Sequence, residues 1–181
     1  MKKFNLILAL MALAGLGTLY SEEAAPEAST TKDADATATE GIKWHHDLQA
    51  ALDEAKTSNK LVIADFTGSD WCGWCIKLVN EVFSQAAFIN AVKDKYVFAE
   101  IDVPRSKPIS DEQKAKNQEY IKKYEIKGFP SILILKADGS VVGRTGYKAG
   151  GPEAYVKHLE EVIAQGEAGG KSSEKKSCCP N

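Results

Sequence analysis

Apolar positions recur along this chain with two periods, and the switches between them mark its elements. Leu48, Ala51, Leu52 and Ala55 fall at i, i+3, i+4 and i+7, which predicts a helix from Asp47 that Asn59-Lys60 breaks. Residues 42–45 read as a short edge strand before it. Residues 61–66 are almost continuously apolar, with Asp65 the single acid inside, as in a strand covered on both faces. After the turn Gly68-Ser69-Asp70, a second helical stripe is Ile76, Val79, Val82 and Phe83. Ser84 is placed to cap a following helix that buries Phe88, Ile89 and Val92. Val97, Ala99, Ile101 and Val103 alternate, which predicts a strand over 96–103.

Pro104 and Pro108 bound a loop, and Ser110-Asp111-Glu112-Gln113 has the form of a capping box. A polar helix then runs to Tyr124, with Ala115, Ile121 and Tyr124 as its expected inner face. Residues 131–135 read as another buried strand, Ala137-Asp138-Gly139 as a hairpin turn, and 140–144 as the partner strand. Gly150-Gly151-Pro152 opens a last helix, with Tyr155, Val156, Leu159, Val162 and Ile163 inward and Gly166 as its expected end. The order β-α-β-α-β-α-β-β-α defines an α/β fold, a central sheet with helices on both faces.

The flanks have a different character. Lys2 and Lys3 precede an apolar run over 6–16, the form of a secretory signal peptide assigned to residues 1–21. That run falls short of the roughly 20 apolar residues that span a bilayer. Residues 22–41 carry six acids (Glu22, Glu23, Glu27, Asp33, Asp35 and Glu40) against Lys32 and have no apolar period, so they read as a disordered linker. The domain is expected over 42–165, and 166–181 reads as a flexible tail holding Cys178-Cys179. A net charge of −2 over 181 residues gives no electrostatic case for nucleic-acid binding.

Chemistry concentrates in Trp71-Cys72-Gly73-Trp74-Cys75. A strand-to-helix crossing there puts Cys72 at a helix N-terminus and Cys75 one turn in, on the same side. Unpaired backbone N–H groups and the helix dipole stabilise a thiolate at such a place, and the thiolate is the form that attacks disulfides. The plainer reading of the pair is half of a zinc site, for which His45, His46 and His158 are the only histidines. Soft-metal binding, as in a copper chaperone using the same cysteines and the tail pair, is the alternative function. A fold kept as a non-catalytic adaptor is a third. For Cys178-Cys179 an electron relay, a Cu(I) site and no specific role all stay open.

Asp65-Phe66, the C-x-x-C pair, Gly128-Phe129-Pro130 and a closing hairpin plus helix come in one order that resembles the thioredoxin family over about 42–165. Residues 65–75 are especially similar to exported bacterial thioredoxin-like proteins. The resemblance implies a thioredoxin fold with a central mixed sheet, and disulfide exchange with protein disulfide or dithiol substrates. It implies a membrane or periplasmic redox partner, a monomer in the periplasm or secreted, and neither cofactor nor metal. It makes Cys72 the exposed attacking thiol, Cys75 the buried resolving one, and Asp65 the acid that assists Cys75. Pro130 becomes a cis-proline, and Trp71, Trp74, Phe129, Pro130 and Gly146 become the substrate-binding set. The chain departs from the family in four places: Trp74 replaces a proline, one extra residue separates Asp65 from Cys72, residues 96–103 hold no lysine partner for the acid, and 104–124 is longer.

Overall fold

The computed structural model describes residues 41–173. The segments expected to be a signal peptide and most of an acidic linker, and Cys178-Cys179, lie outside them. Five strands and five helices follow one another as β1 Trp44–His45, α1 Leu48–Ser58, β2 Leu61–Thr67, α2 Gly73–Leu78, α3 Ala86–Val92, β3 Tyr96–Asp102, α4 Asp111–Lys123, β4 Ser131–Leu135, β5 Val141–Thr145 and α5 Gly151–Ser173. A π-helical turn, Val79–Phe83, follows α2 directly. The sheet order is β1-β3-β2-β4-β5. Strands β1, β3 and β2 run parallel, and β4 and β5 are added antiparallel, so the sheet is mixed.

Strand β2 is central and is buried on both faces, which is why its sequence is apolar without alternation. Its even-numbered residues Val62, Ala64 and Phe66 pack with Ala99, Ile101, Leu133 and Leu135 against α1 and Tyr124. Its odd-numbered Ile63 packs with Phe98, Ile132 and Ile134 against Leu78, Val82, Phe88, Tyr155 and Leu159. Burying each of the Val, Leu, Ile and Phe side chains among them contributes about 1.5–3 kcal/mol. The stripe in α1 is buried as the periodicity requires, and Asp47 caps the helix by accepting the Gln49 N–H at 2.9 Å. No helix among the described residues is long and apolar enough to cross a membrane.

Four sequence expectations are corrected. Ile76 and Val79 are exposed, while Val82 and Phe83 face inward as expected, joined by Cys75 and Leu78. Cys75 and Leu78 set the inner face of α2, which turns Ile76 outward, and the π turn, in which the Ser84 N–H reaches back five residues to Val79 O at 2.9 Å, brings Phe83 onto that face. Ser84 is not a cap: its hydroxyl donates to Asn80 O, and Gln85 starts α3 without a side-chain cap. In α4 the buried residue is Asn117 rather than Ala115, because Asn117 Nδ2 donates to Asp102 O at 2.7 Å. Ser110 does cap α4 through the Gln113 N–H, but the Gln113 side chain turns away to His46 O and Asn117.

The fourth concerns α5, which runs through Gly166 to Ser173, so the flexible tail does not begin at 166. Gly166 serves packing, since a Cβ there would stand 1.8 Å from Val142 O. Gly143 is the counterpart in β5, where a Cβ would meet Val162 Cγ1 at 2.4 Å. The two glycines let α5 lie directly on β5.

Candidate active site

Strand β2 delivers the chain to a tight loop at its C-terminal end, and that loop is fastened on several sides. Asp70 accepts the backbone N–H groups of Arg105, Ser106 and Lys107, which hold its carboxyl below the usual carboxylate range. Asp102 accepts from both the N–H and the hydroxyl of Ser69. Trp71 donates its indole N–H to Val103 O at 2.7 Å, and the Arg105 guanidinium lies 4.0 Å over its ring. Gly68 has no side chain because the Trp71 ring fills the space a Cβ would need, at 2.5 Å. The segment after Asp102 therefore acts as a brace, and the extra length before Tyr124 supplies it.

Cys72 is the N-cap of α2 and is bonded to Cys75, with the two Cα atoms 5.2 Å apart. The Cys75 N–H donates to Cys72 Sγ at 3.2 Å. A sulfur in that position accepts one of the orphan donors of the helix start, and the same donor favours a thiolate there once the disulfide opens. In this closed state Cys72 is 7% exposed and Cys75 2%. The expected contrast between an exposed and a buried thiol is thus narrow, because the disulfide folds Cys72 back over the first turn.

The loop before β4 comes up beside this helix start. The Phe129–Pro130 peptide is cis. Phe129 packs edge-on against Trp71, ring centroids 5.7 Å apart, and Ser131 Oγ donates to Gly128 O. Gly146 lies against the same loop, where a Cβ would stand 3.0 Å from Pro130 O. Trp74 is the open member, 57% exposed, and packs at a tilt against Tyr147, ring centroids 5.1 Å apart. Lys77 lies over both rings, and Tyr147 donates to Glu81. Trp71, Phe129, Pro130 and Gly146 thus form one packed group, while Trp74 stands on a face with Tyr147 and Lys77.

Asp65 is 3% exposed on the α2 side of β2, and its Oδ1 has no hydrogen-bond partner among the described residues. Burial, then Glu100 and Asp102, hold its carboxyl well above the ordinary value of 3.8. The sequence reading missed these two neighbours. The signal was the same period-two pattern that located β3, because Phe98, Glu100 and Asp102 share a face, and the register sets Glu100 beside Asp65.

The raised proton affinity of Asp65 has a stability consequence. Between 3.8 and the raised value the folded chain keeps a proton that the unfolded chain has released, so stability falls as pH rises through that window. Asp65→Asn is expected to raise the Tm of the oxidised chain at pH 7 and to leave it nearly unchanged at pH 3. Calorimetry at the two values checks this, and equal shifts at both would contradict it.

A closable cysteine pair at a helix start, beside a cis-proline on a mixed sheet, defines a thiol–disulfide oxidoreductase of the thioredoxin fold. The chain belongs to the thioredoxin-like domain family, which matches residues 48–163. It is 32% identical over 126 residues to the disulfide bond reductase DsbH of Chlamydia pneumoniae, covering 70% of this chain and 75% of that one. It is 28% identical over 144 residues to the thioredoxin-related protein DsbJ of the same organism, of which it spans 40%. A solved DsbH oxidoreductase structure superposes with a TM-score of 0.65 at 31% identity, over 68% of this chain and 85% of that one. The activity class is therefore Dsb-type thiol–disulfide exchange centred on Cys72 and Cys75.

Proposed function

We propose that the chain is an exported reductase of protein disulfides. The observation that carries the reading is the Cys75 N–H on Cys72 Sγ, which makes Cys72 the sulfur that the helix start stabilises as thiolate. The reductase direction is supported by the name of the relative, disulfide bond reductase. Export is supported by Lys2, Lys3 and the apolar run over 6–16.

In the reduced chain, Cys72 thiolate attacks one sulfur of a substrate disulfide. A bond between Cys72 and the substrate forms as the substrate's own S–S bond breaks, and the released thiolate takes a proton from water. Cys75 then gives its proton to Asp65 and attacks Cys72 Sγ. The Cys72–Cys75 bond forms, and the second substrate sulfur departs as thiolate and is protonated. Two electrons pass to the substrate, and a membrane or periplasmic dithiol partner restores the reduced pair. Trp74, with Tyr147 and Lys77, offers an aromatic, cationic face for the incoming segment. The Phe129 backbone beside Pro130 and Gly146 offers strand-like hydrogen bonds, and Trp71 holds that loop in place.

The full chain is expected to accelerate reduction of insulin disulfides by dithiothreitol, seen as earlier precipitation of the free chain. A rate equal to dithiothreitol alone would overturn the reading.

A further inference from the structure

A cleft of about 480 Å³ opens behind α2, lined by Trp44, His46, Asp65, Val79, Phe83 and Glu100 among others. Asp65 and Glu100 are register partners on adjacent parallel strands and point to the same face. Strand spacing sets their backbones about 4.8 Å apart, and the charge of Glu100 acts directly on Asp65. Glu100 Oε2 lies 3.3 Å from His46 Nδ1, and the His46 ring is mostly exposed, with 72% of its side chain open to solvent. Asp65 alone is closed off, with an unpartnered oxygen and no lysine on β3 to balance it.

We propose that Glu100 is a positioning residue for proton transfer at Cys75, linking Asp65 through the cleft to His46 and solvent. This rests on Asp65 being the group that takes the Cys75 proton. When Cys75 attacks Cys72 Sγ, its proton moves to Asp65. It must leave again before the next turnover, and for a residue only 3% exposed the cleft that Asp65 lines together with Glu100 is the opening toward solvent. The proton passes from Asp65 to Glu100 and from Glu100 to His46 or bulk water, with no change in electron count. The other groups facing the pair are Asp102 on β3, Lys107 in the bracing loop and Tyr155 on α5. Burial and Asp102 raise the proton affinity of Glu100 as well, so both carboxyls accept a proton under milder conditions than surface acids.

The test combines carbon-13 carboxyl titration of the reduced full chain with insulin turnover at saturating dithiothreitol. Wild type is expected to show Asp65 titrating in two steps, one of them shared with Glu100. In Glu100→Gln, Asp65 titrates in one step at lower pH, and turnover falls about tenfold with a displaced pH profile, less than the 10²–10⁴ lost with a directly acting group. His46→Asn, a surface change, is expected to slow turnover less and to be rescued by added imidazole. An unaltered Asp65 titration in Glu100→Gln overturns the proposal whatever the activity, and failure of imidazole rescue overturns the His46 exit. Asp65→Asn separates the two levels. If it leaves turnover and pH profile unchanged, the Asp65 reading itself fails. If it slows turnover while Glu100→Gln does not, only the Glu100 link fails.

Discussion

Cys75→Ser is expected to stop turnover and leave the chain covalently joined to its substrate. Cys72 keeps its place at the N-cap, and the backbone N–H of residue 75 still reaches its sulfur, because that donor belongs to the main chain. The first attack therefore proceeds. The second needs a thiolate one turn in, and a serine hydroxyl does not attack a disulfide at neutral pH. Multiple turnover should fall at least about 10³-fold, in line with removal of a nucleophile whose step has no substitute. Mass spectrometry should find one substrate per chain, released by excess dithiothreitol. Cys72→Ser should also be inactive but form no adduct. An adduct of equal yield in Cys72→Ser would reverse the assigned order of the two sulfurs.

Gly166→Ala is expected to destabilise the domain although it replaces a glycine inside a helix. Propensity alone favours the change by about 1 kcal/mol. Packing opposes it, because the new Cβ would be 1.8 Å from Val142 O, a backbone atom fixed in the β4–β5 ladder. Helix α5 must then move off β5, and overpacking of this kind typically costs about 1–3 kcal/mol, more against backbone. A net loss of about 2 kcal/mol, or a Tm lower by roughly 6–10 °C, is expected by thermal unfolding. Gly169, with nothing within 4 Å of its Cβ position, is the control, and Gly169→Ala should hold or raise the Tm. A gain at both positions would mean that α5 does not sit on β5 as described.

What was legible in the sequence depended on how many faces an element buries. Strand β2 and the α1 stripe were readable because burial leaves an apolar signature at every inward position. Helix α4 was misread at Ala115 because its buried contact is polar, and Asn117 looks like a surface residue until Asp102 O is placed beside it. Gly166 has the sequence mark of a helix stop, because a helix-interior glycine carries no local sign of the strand beneath it. At the site, the thiol pair, Asp65 and Pro130 were visible as motifs. Glu100 was not, since its meaning arises from the β2–β3 register rather than from its own neighbours. The bracing of the loop by Asp70, Trp71 and Arg105 was equally hidden, being made of contacts across more than 30 positions of chain.

The π turn after α2 sets a condition on length. Counting on from Cys75 at the ordinary helical period, Phe83 falls near the phase of Ile76, toward solvent. The wide turn at Val79–Phe83 retards the rotation, and Phe83 comes back onto Trp44, Phe88 and Tyr155. One surplus residue thus separates a helix start that must present two sulfurs from a helix end that must fill the core. Side chains in this stretch tolerate exchange within their size, but a single deletion would turn one end against the other.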